Sequence, residues 1–436
     1  FLDVKHGYAS PKWLHPSFRS FLHETYGVVV YHEQVLRILH HCMNVSLADA
    51  DELRRSMEKH TDGIEALFRT RTRETLDADG VRMFSDAQID AIWEVLRGFG
   101  SFGFCKAHAA AFALPTWQSA WLKTHYPAEF FAGLLTHDPG MYPKRLLLGD
   151  ARRMGVPILP VDVNISTREF VVERVRATPP GRATRAGDLG IRLSLADIRG
   201  ISEAETARIL TERPFTSVHD FLLRARPSRI LAERLALIGA LDTLEPNAAT
   251  RRELVAAVRA APRPKRRAPH TSAIELPLDF RSTAGALPRT GTREMSARER
   301  VHAELDILAL DLSEHVIDGY RPLLDALNVT TADALVTLRA GTEVTVAGVR
   351  VATQTPPMRS GKRVVFISVD DGTGCADATF FDDAQTCSGD VLFGTPLLLI
   401  HGKVRRTGER GVSIQATSAR DLKLAWQEFT ELQHAS

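Results

Sequence analysis

Two adjacent arginines and a lysine–histidine pair are the side chains best suited to chemistry in this sequence. Arg54 and Arg55 follow Asp51 and Glu52 in a run with helical spacing, with Lys59 close behind. A guanidinium is permanently charged and grips phosphate oxygens in a fork, so a neighbouring pair suits a polyphosphate. The same run would also serve as a solvated charged face. Lys106 and His108 follow Gly98, Gly100 and Gly103, which are interleaved with Phe99, Phe102 and Phe104. Glycine lets backbone turn tightly or approach another group closely. Free amides where such a loop runs into a helix can cradle phosphate, although the spacing matches neither standard phosphate loop. A histidine beside an apolar helix usually makes a structural hydrogen bond. Next to Lys106 it could instead meet a phosphate. Asp49-Ala50-Asp51 and Asp77-Ala78-Asp79 are the nearest approaches to a metal-binding carboxylate pair, and both lie in charged surroundings. No metal site is expected.

The elements that must position these groups come next. The apolar spacing of Val28, Val30, Val35, Ile38 and Leu39 leads into a helix carrying Glu33 and Gln34. Ser46, with Asp49 three residues on, predicts a capped helix for Arg54 and Arg55. Residues 61–97 read as a charged helical segment, and Ile89, Ile92, Trp93, Val95 and Leu96 suit packing. The Ala-rich run after His108 reads as a buried helical hairpin, broken at Pro115 and closed at Pro127. Trp117 and Trp121, a turn apart, read as core. Its uncharged stretch from Ala109 to Leu122 is shorter than the roughly 20 apolar residues of a membrane span.

The whole chain has ordinary globular composition: 436 residues, 44% hydrophobic, 25% charged and a net charge of +2. Length allows two to four domains. Charge balance alone argues neither for nor against nucleic acid. Cys42, Cys105, Cys375 and Cys387 are widely spaced and form no CxxC pair, so free thiols and a cytoplasmic setting are expected. The sequence opens FLDVKHGYASP, without an initiator Met, and reads as a fragment that begins inside a larger protein.

Further along, a helix through Met154 and a β-like VPILPVDVN connector precede Leu193, Leu195, Ile198 and the Gly200-Ile201-Ser202 turn. That pattern resembles a helix-hairpin-helix, whose amides suit a DNA phosphate. Ser202 stands where such motifs usually carry Gly and could cap the following helix. A second, degenerate copy includes Leu237 to Leu241. Residues 259–300 form a basic, Pro-rich linker without apolar period. After a helical connector, five short strands with turn signals predict an OB-fold barrel. Val364, Phe366 and Ser368 alternate with Val365, Ile367 and Val369, so one of the two sets lines the core. Of the adjacent Phe380 and Phe381, at most one is core; the other is a candidate stacking platform.

GFGSFGFCKAHAAAFA and QSAWLKTHYPAEF, with ETYGVVVYHEQVLRI, ADELRRSMEKH and DARRMGVPILPVDVNIS, closely resemble bacterial C-family DNA polymerases, the DNA polymerase III alpha subunits. CKAHAAAFALPTWQSAW and THDPGMYPKRLLL are most similar to the error-prone actinobacterial paralogue. A stop soon after the barrel, where replicative subunits continue, agrees with that. The resemblance implies a multidomain α+β chain: a mainly α-helical fingers region (1–175), tandem helix-hairpin-helix (176–258), linker (259–300), helical connector (301–340), OB-fold (341–424) and tail (425–436). It implies DNA-directed nucleotidyl transfer in replication or translesion repair. The Mg²⁺-binding palm carboxylates are expected outside the chain, so the fragment alone should be inactive. Arg54, Arg55, Lys106 and His108 would bind the incoming deoxynucleoside triphosphate. The family often continues Met-Gly-Lys-Lys after its arginine pair; here Met57-Glu58-Lys59-His60 weakens the basic cluster. Gly200, Ile201, Ser202, Lys362, Arg363, Lys403, Arg405 and Arg406 would bind primer–template DNA. Glu275 to Phe280 faintly resembles a sliding-clamp-binding peptide, and the barrel could instead dock accessory mutasome proteins. The alternative is a non-catalytic DNA-binding or scaffolding protein built from the same modules. No membrane association is expected.

Overall fold

The computed structural model describes residues 1–57, 61–99, 104–140, 142–175, 188–245, 250–261, 291–356, 363–408 and 411–435. Gly100, Gly103, Lys362 and the Glu275 to Phe280 peptide lie outside the described residues. The chain divides into two compact units, Phe1–Trp121 and Leu122–Ser436.

The first unit is helical. Helices His32–Met43, Leu47–Met57, Thr61–Glu74 and Asp86–Phe99 surround a core of Phe18, Leu22, Ile38, Leu39, Phe68, Ile89, Ile92 and Trp93. The predicted cap is present. Ser46 Oγ accepts from the Asp49 amide at 3.1 Å, and Asp49 accepts from the Ser46 amide at 3.2 Å. This reciprocal arrangement satisfies two amides that a helix start leaves unpaired.

The segment after His108 differs from expectation. Lys106–His125 is one continuous helix with Pro115 inside it and no buried residue. Trp117 is 63% exposed and Trp121 41%. Apolar residues all round a helix read as burial, but here Phe112, Leu114 and Trp117 stay largely exposed. Alanines on both sides of Pro115 are the strongest helix formers, and the helix continues through the one amide that proline lacks.

The second unit starts with helices Pro127–His137 and Lys144–Arg153. A small sheet follows, with β1 (Ile158–Leu159), β2 (Val171–Arg174) and β3 (Leu189–Arg192) in the order β1-β3-β2. The first hairpin therefore has no leading helix. Strand β3 enters it, and Ser194 Oγ caps a single turn by accepting from the Asp197 amide at 3.2 Å. Gly200, at φ +80°, ends that turn, because only glycine takes this backbone without strain. Helices Glu203–Glu212, Val218–Arg224, Arg229–Leu237 and Arg251–Ala260 follow, sharing one core through Ile209, Phe221, Leu235 and Leu254.

Residues 343–421 form a closed barrel. Its strands are β4 (Glu343–Gln354), β5 (Val365–Asp370), β6 (Cys375–Phe380), β7 (Leu397–Thr407) and β8 (Gly411–Asp421), in the order β4-β5-β6-β8-β7. Only the β6–β8 pairing is parallel. Val365, Ile367 and Val369 point inward with Phe380, Leu398, Ile400 and Ile414. Closure removes the exposed edges that a five-stranded sheet would otherwise present. Within the second unit an ionic cluster ties the barrel to helix Lys144–Arg153 and to Asp311 and His315. Arg145 lies 3.5 Å from Asp370 and 3.9 Å from Asp311, and His315 lies 3.4 Å from Asp370.

Candidate nucleotide and nucleic-acid interfaces

Arg54 and Arg55 emerge from the capped helix Leu47–Met57 and share one carboxylate. Asp51 lies 3.2 Å from Arg54 and 2.6 Å from Arg55. The Arg55 guanidinium, then that of Arg54, holds the Asp51 carboxyl below the usual carboxylate range. Arg55 remains 72% exposed, whereas Arg54 is 20% exposed. Arg55 is thus the better placed of the two to turn toward an anion, since an exposed ion pair is worth at most about 1 kcal/mol.

Lys106 and His108 start the long helix. An isolated bridge pairs Tyr31 with Phe104, and the His32 amide donates to the Phe104 carbonyl at 2.9 Å. This fixes the start of the long helix beside helix His32–Met43. Two amides at the start of the long helix are already used. Glu33 accepts from the amides of Lys106 at 2.9 Å and Ala107 at 3.2 Å, and from the Cys105 thiol at 3.4 Å. Partial burial pushes the Glu33 carboxyl up, but these donors outweigh it and hold it below the ordinary glutamate value. The Lys106 ammonium bonds to Glu24 and sits 5.9 Å from the Tyr31 ring centre. His108 is exposed, with its ring 4.6 Å from that of Phe112. Nothing in the local sequence marks Glu24 or Glu33 for this task, because the contacts span 82 and 73 residues. No hydrogen bond or ion pair among the described residues joins the Arg54–Arg55 pair to Lys106 or His108.

The carboxylate pairs do not fit a metal. Asp49 caps its helix on Ser46 and Asp51 is held by two arginines. Asp77 accepts the amides of Asp79 and Val81 in a turn. Among the described residues no group of three or more His, Cys, Asp or Glu side chains is arranged to hold a metal ion.

At the first hairpin, Ser202 caps helix Glu203–Glu212. Its hydroxyl accepts from the Glu205 amide at 3.2 Å, and Glu205 accepts from the Ser202 amide at 3.0 Å. The Ile201 amide donates to the Ile198 carbonyl at 3.1 Å. Two of the three hairpin amides are therefore engaged inside the chain. Glu205 also accepts from the Ser228 amide at 2.8 Å, tying this cap to the start of helix Arg229–Leu237. Burial pushes its carboxyl up, but the donors Ser202 and Ser228 hold it lower than usual.

On the barrel, Phe366 faces outward at 39% exposure and Phe381 is 40% exposed, while Phe380 is fully buried. Phe366 pairs with Gln354 and Thr379, Thr379 with Gln415, and Gln415 with Lys403. That register makes one outward-facing row around the barrel, in which Thr379 is itself buried between exposed neighbours. The Arg363 guanidinium lies 4.8 Å from the Phe393 ring. Lys403 lies 3.5 Å from Glu343, and Arg405 is exposed. Arg406 is spent on structure: its guanidinium donates to the carbonyls of Leu338 at 2.9 Å and Val336 at 3.1 Å. The sequence grouped Arg405 with Arg406, but neighbours on a strand face opposite ways.

A helical unit, a hairpin module and a closed five-stranded barrel with an aromatic outer face make up a multi-module chain. Residues 1–79 match the finger domain of the bacterial DNA polymerase III alpha subunit, residues 155–254 a helix-hairpin-helix motif, and residues 344–422 an OB-fold nucleic acid binding domain. The error-prone DNA polymerase of Symbiobacterium thermophilum is 35% identical over 94% of this chain and 40% of its own length. DNA polymerase III subunit alpha of Vibrio cholerae is 29% identical over 98% and 37%, respectively. The error-prone DNA polymerase of Corynebacterium jeikeium is 34% identical over 89% and 36%. The chain belongs to the bacterial DNA polymerase III alpha-subunit family. It spans 40% or less of the length of these curated relatives. Among the described residues no helix is long and apolar enough to cross a membrane.

Proposed function

We propose that this chain is the nucleotide- and DNA-holding part of a DNA-directed DNA polymerase of the error-prone alpha-subunit type, acting in the cytoplasm in replication or translesion repair synthesis. The observation that carries the reading is the order of finger, hairpin and barrel modules along a chain that aligns with polymerases over 89–98% of its length. The parent reaction joins a deoxynucleoside triphosphate to a primer 3′ hydroxyl. Mg²⁺ would supply the clamp on the transferred phosphate, held by carboxylates other than those described. Arg55, with Arg54 and Lys106, would neutralise the triphosphate, and His108 would lie at the edge of that site. Gly200 to Ser202 would face duplex DNA. The outer row of the barrel, with Phe366, Phe381, Arg363, Lys403 and Arg405, would carry single-stranded template. Glu275 to Phe280 remains a proposed sliding-clamp contact, and the barrel a proposed dock for mutasome proteins.

One observation favours a second reading, a non-catalytic DNA-binding scaffold: the carboxylate pairs present are occupied by caps and arginines. Primer extension separates the two. The chain alone, with Mg²⁺ and all four nucleotides, should not extend a primer, whereas the chain in its polymerase-length context should. Extension by the isolated chain would overturn the division of labour, and none by the longer protein would leave the scaffold.

A further inference from the structure

The two hairpin turns are built alike and charged differently. Gly200 and Gly239 both sit at φ +80°. Over each lies an arginine guanidinium, Arg234 at the first and Arg251 at the second, so close that a methyl group on either glycine would overlap it. Glycine at these turns thus makes room for an arginine as well as for the backbone angle.

Their partners differ in kind. Arg251 donates to the Asp242 carboxylate through Nε at 3.1 Å and Nη2 at 3.0 Å. Its backbone amide donates to Glu294 at 3.1 Å. A carboxylate therefore cancels its charge, and a second lies beside it. Among the described residues Arg234 bonds to a neutral acceptor, the Arg199 carbonyl, and to no carboxylate. The Arg199 side chain is exposed and has no partner among the described residues. Both arginines line a cleft of about 820 Å³ that Arg252 and Arg259 also face. The latter two are paired, Arg252 with Glu299 at 2.6 Å and Arg259 with Glu233 at 3.0 Å. Asp306 also lines the cleft, 3.4 Å from His302, so one carboxylate faces its four arginines without an arginine of its own, and the two arginines without a carboxylate partner among the described residues lie at the first hairpin.

We propose that the module grips one sugar-phosphate backbone of duplex DNA through the guanidinium groups of Arg199 and Arg234, and that the second hairpin is a structural copy that carries no phosphate. This rests on the reading that the module binds DNA. It changes which groups do so: with the Ile201 and Ser202 amides engaged inside the chain, the phosphate meets guanidinium forks.

The test is fluorescence anisotropy of a labelled duplex with the full chain across a salt series, in excess oligothymidine so that the barrel is occupied. Each lost phosphate contact should lower the log–log salt slope by about one. Arg199→Gln, which removes no structural bond, should weaken duplex binding about tenfold at moderate salt and lower the slope by about one. Arg234→Gln should add to it, and Arg234→Lys should restore part of the loss. Arg251→Gln should leave the slope unchanged, with melting curves confirming that each variant is folded. Tight duplex binding unmoved by Arg199→Gln and Arg234→Gln, or an equal loss in Arg251→Gln, would overturn the assignment while leaving DNA binding by the module intact. No duplex binding by the unaltered chain would remove the underlying reading and this inference with it.

Discussion

Glu33 caps the long helix at Lys106. Its carboxylate accepts the Lys106 amide at 2.9 Å from 73 residues earlier in the chain. The long helix thus presents its N-terminus to a resident anion. Lys106 itself is paired with Glu24, so the mouth is neutralised at rest, and an incoming triphosphate must compete with two carboxylates. Loss of a charged N-cap costs about 0.5–2 kcal/mol. Glu33→Ala should lower the melting temperature of the chain by a few degrees. Glu24→Gln should leave stability nearly unchanged and tighten triphosphate binding, measured by competition with a fluorescent nucleotide. Weaker binding in Glu24→Gln would show that Lys106 is not the group released.

Acid should loosen the first unit through a histidine pair. His15 and His41 share the Ser17 hydroxyl at 2.7 and 2.8 Å. Burial lowers the pKa of both from the ordinary 6.5; for His41 the charges of His15 and His40 add to it, whereas a Met83 backbone bond partly opposes it at His15. Below pH 6.5 the unfolded chain therefore takes up protons that the folded chain refuses. Stability is full above that value and falls as pH drops through it toward the lowered folded values. Urea midpoints should decline from pH 7 to 5, and His15→Gln with His41→Gln should flatten that decline. An unchanged slope in the double variant would place the acid sensitivity elsewhere.

Phe366 and Phe380 should answer substitution in opposite ways. Phe366 is on the outer row, and stacking on a base is worth about 1–3 kcal/mol. Phe366→Ala should weaken oligothymidine binding roughly five- to a hundredfold and leave the melting temperature nearly unchanged. Phe380→Ala should instead destabilise the barrel by about 3–5 kcal/mol, the usual cost of emptying a phenylalanine site in a core. If Phe366→Ala binds normally in a folded barrel, docking of a protein partner becomes the better reading of that face.

Local pattern made much of this fold legible. The cap at Ser46, the five barrel strands and the split between Phe380 and Phe381 follow from spacing and period alone. The barrel face stayed open because alternation gives two faces without saying which is inside. The long helix misled because apolar content signals a surface to be covered, not what covers it. Turn-forming Ser194 and strand β3 replaced the expected leading helix at Gly200, a substitution that hydrophobic spacing cannot distinguish. At the candidate sites the cations were legible and their anionic partners were not. Asp51 is local to Arg55, but Glu24 and Glu33 reach Lys106 only through the tertiary fold.

The measurement that bears most directly on the central claim is single-nucleotide incorporation against nucleotide concentration, in a polymerase-length protein that carries this chain. Arg55→Ala, and more strongly Arg54→Ala with Arg55→Ala, should lower kcat/KM for the nucleotide roughly ten- to a hundredfold. That is the cost of about 1.5–3 kcal/mol for a lost charge-assisted phosphate contact. Primer–template affinity should remain unchanged. Kinetics in the double variant equal to those of the unaltered protein would contradict the account and return both arginines to a solvated helix face.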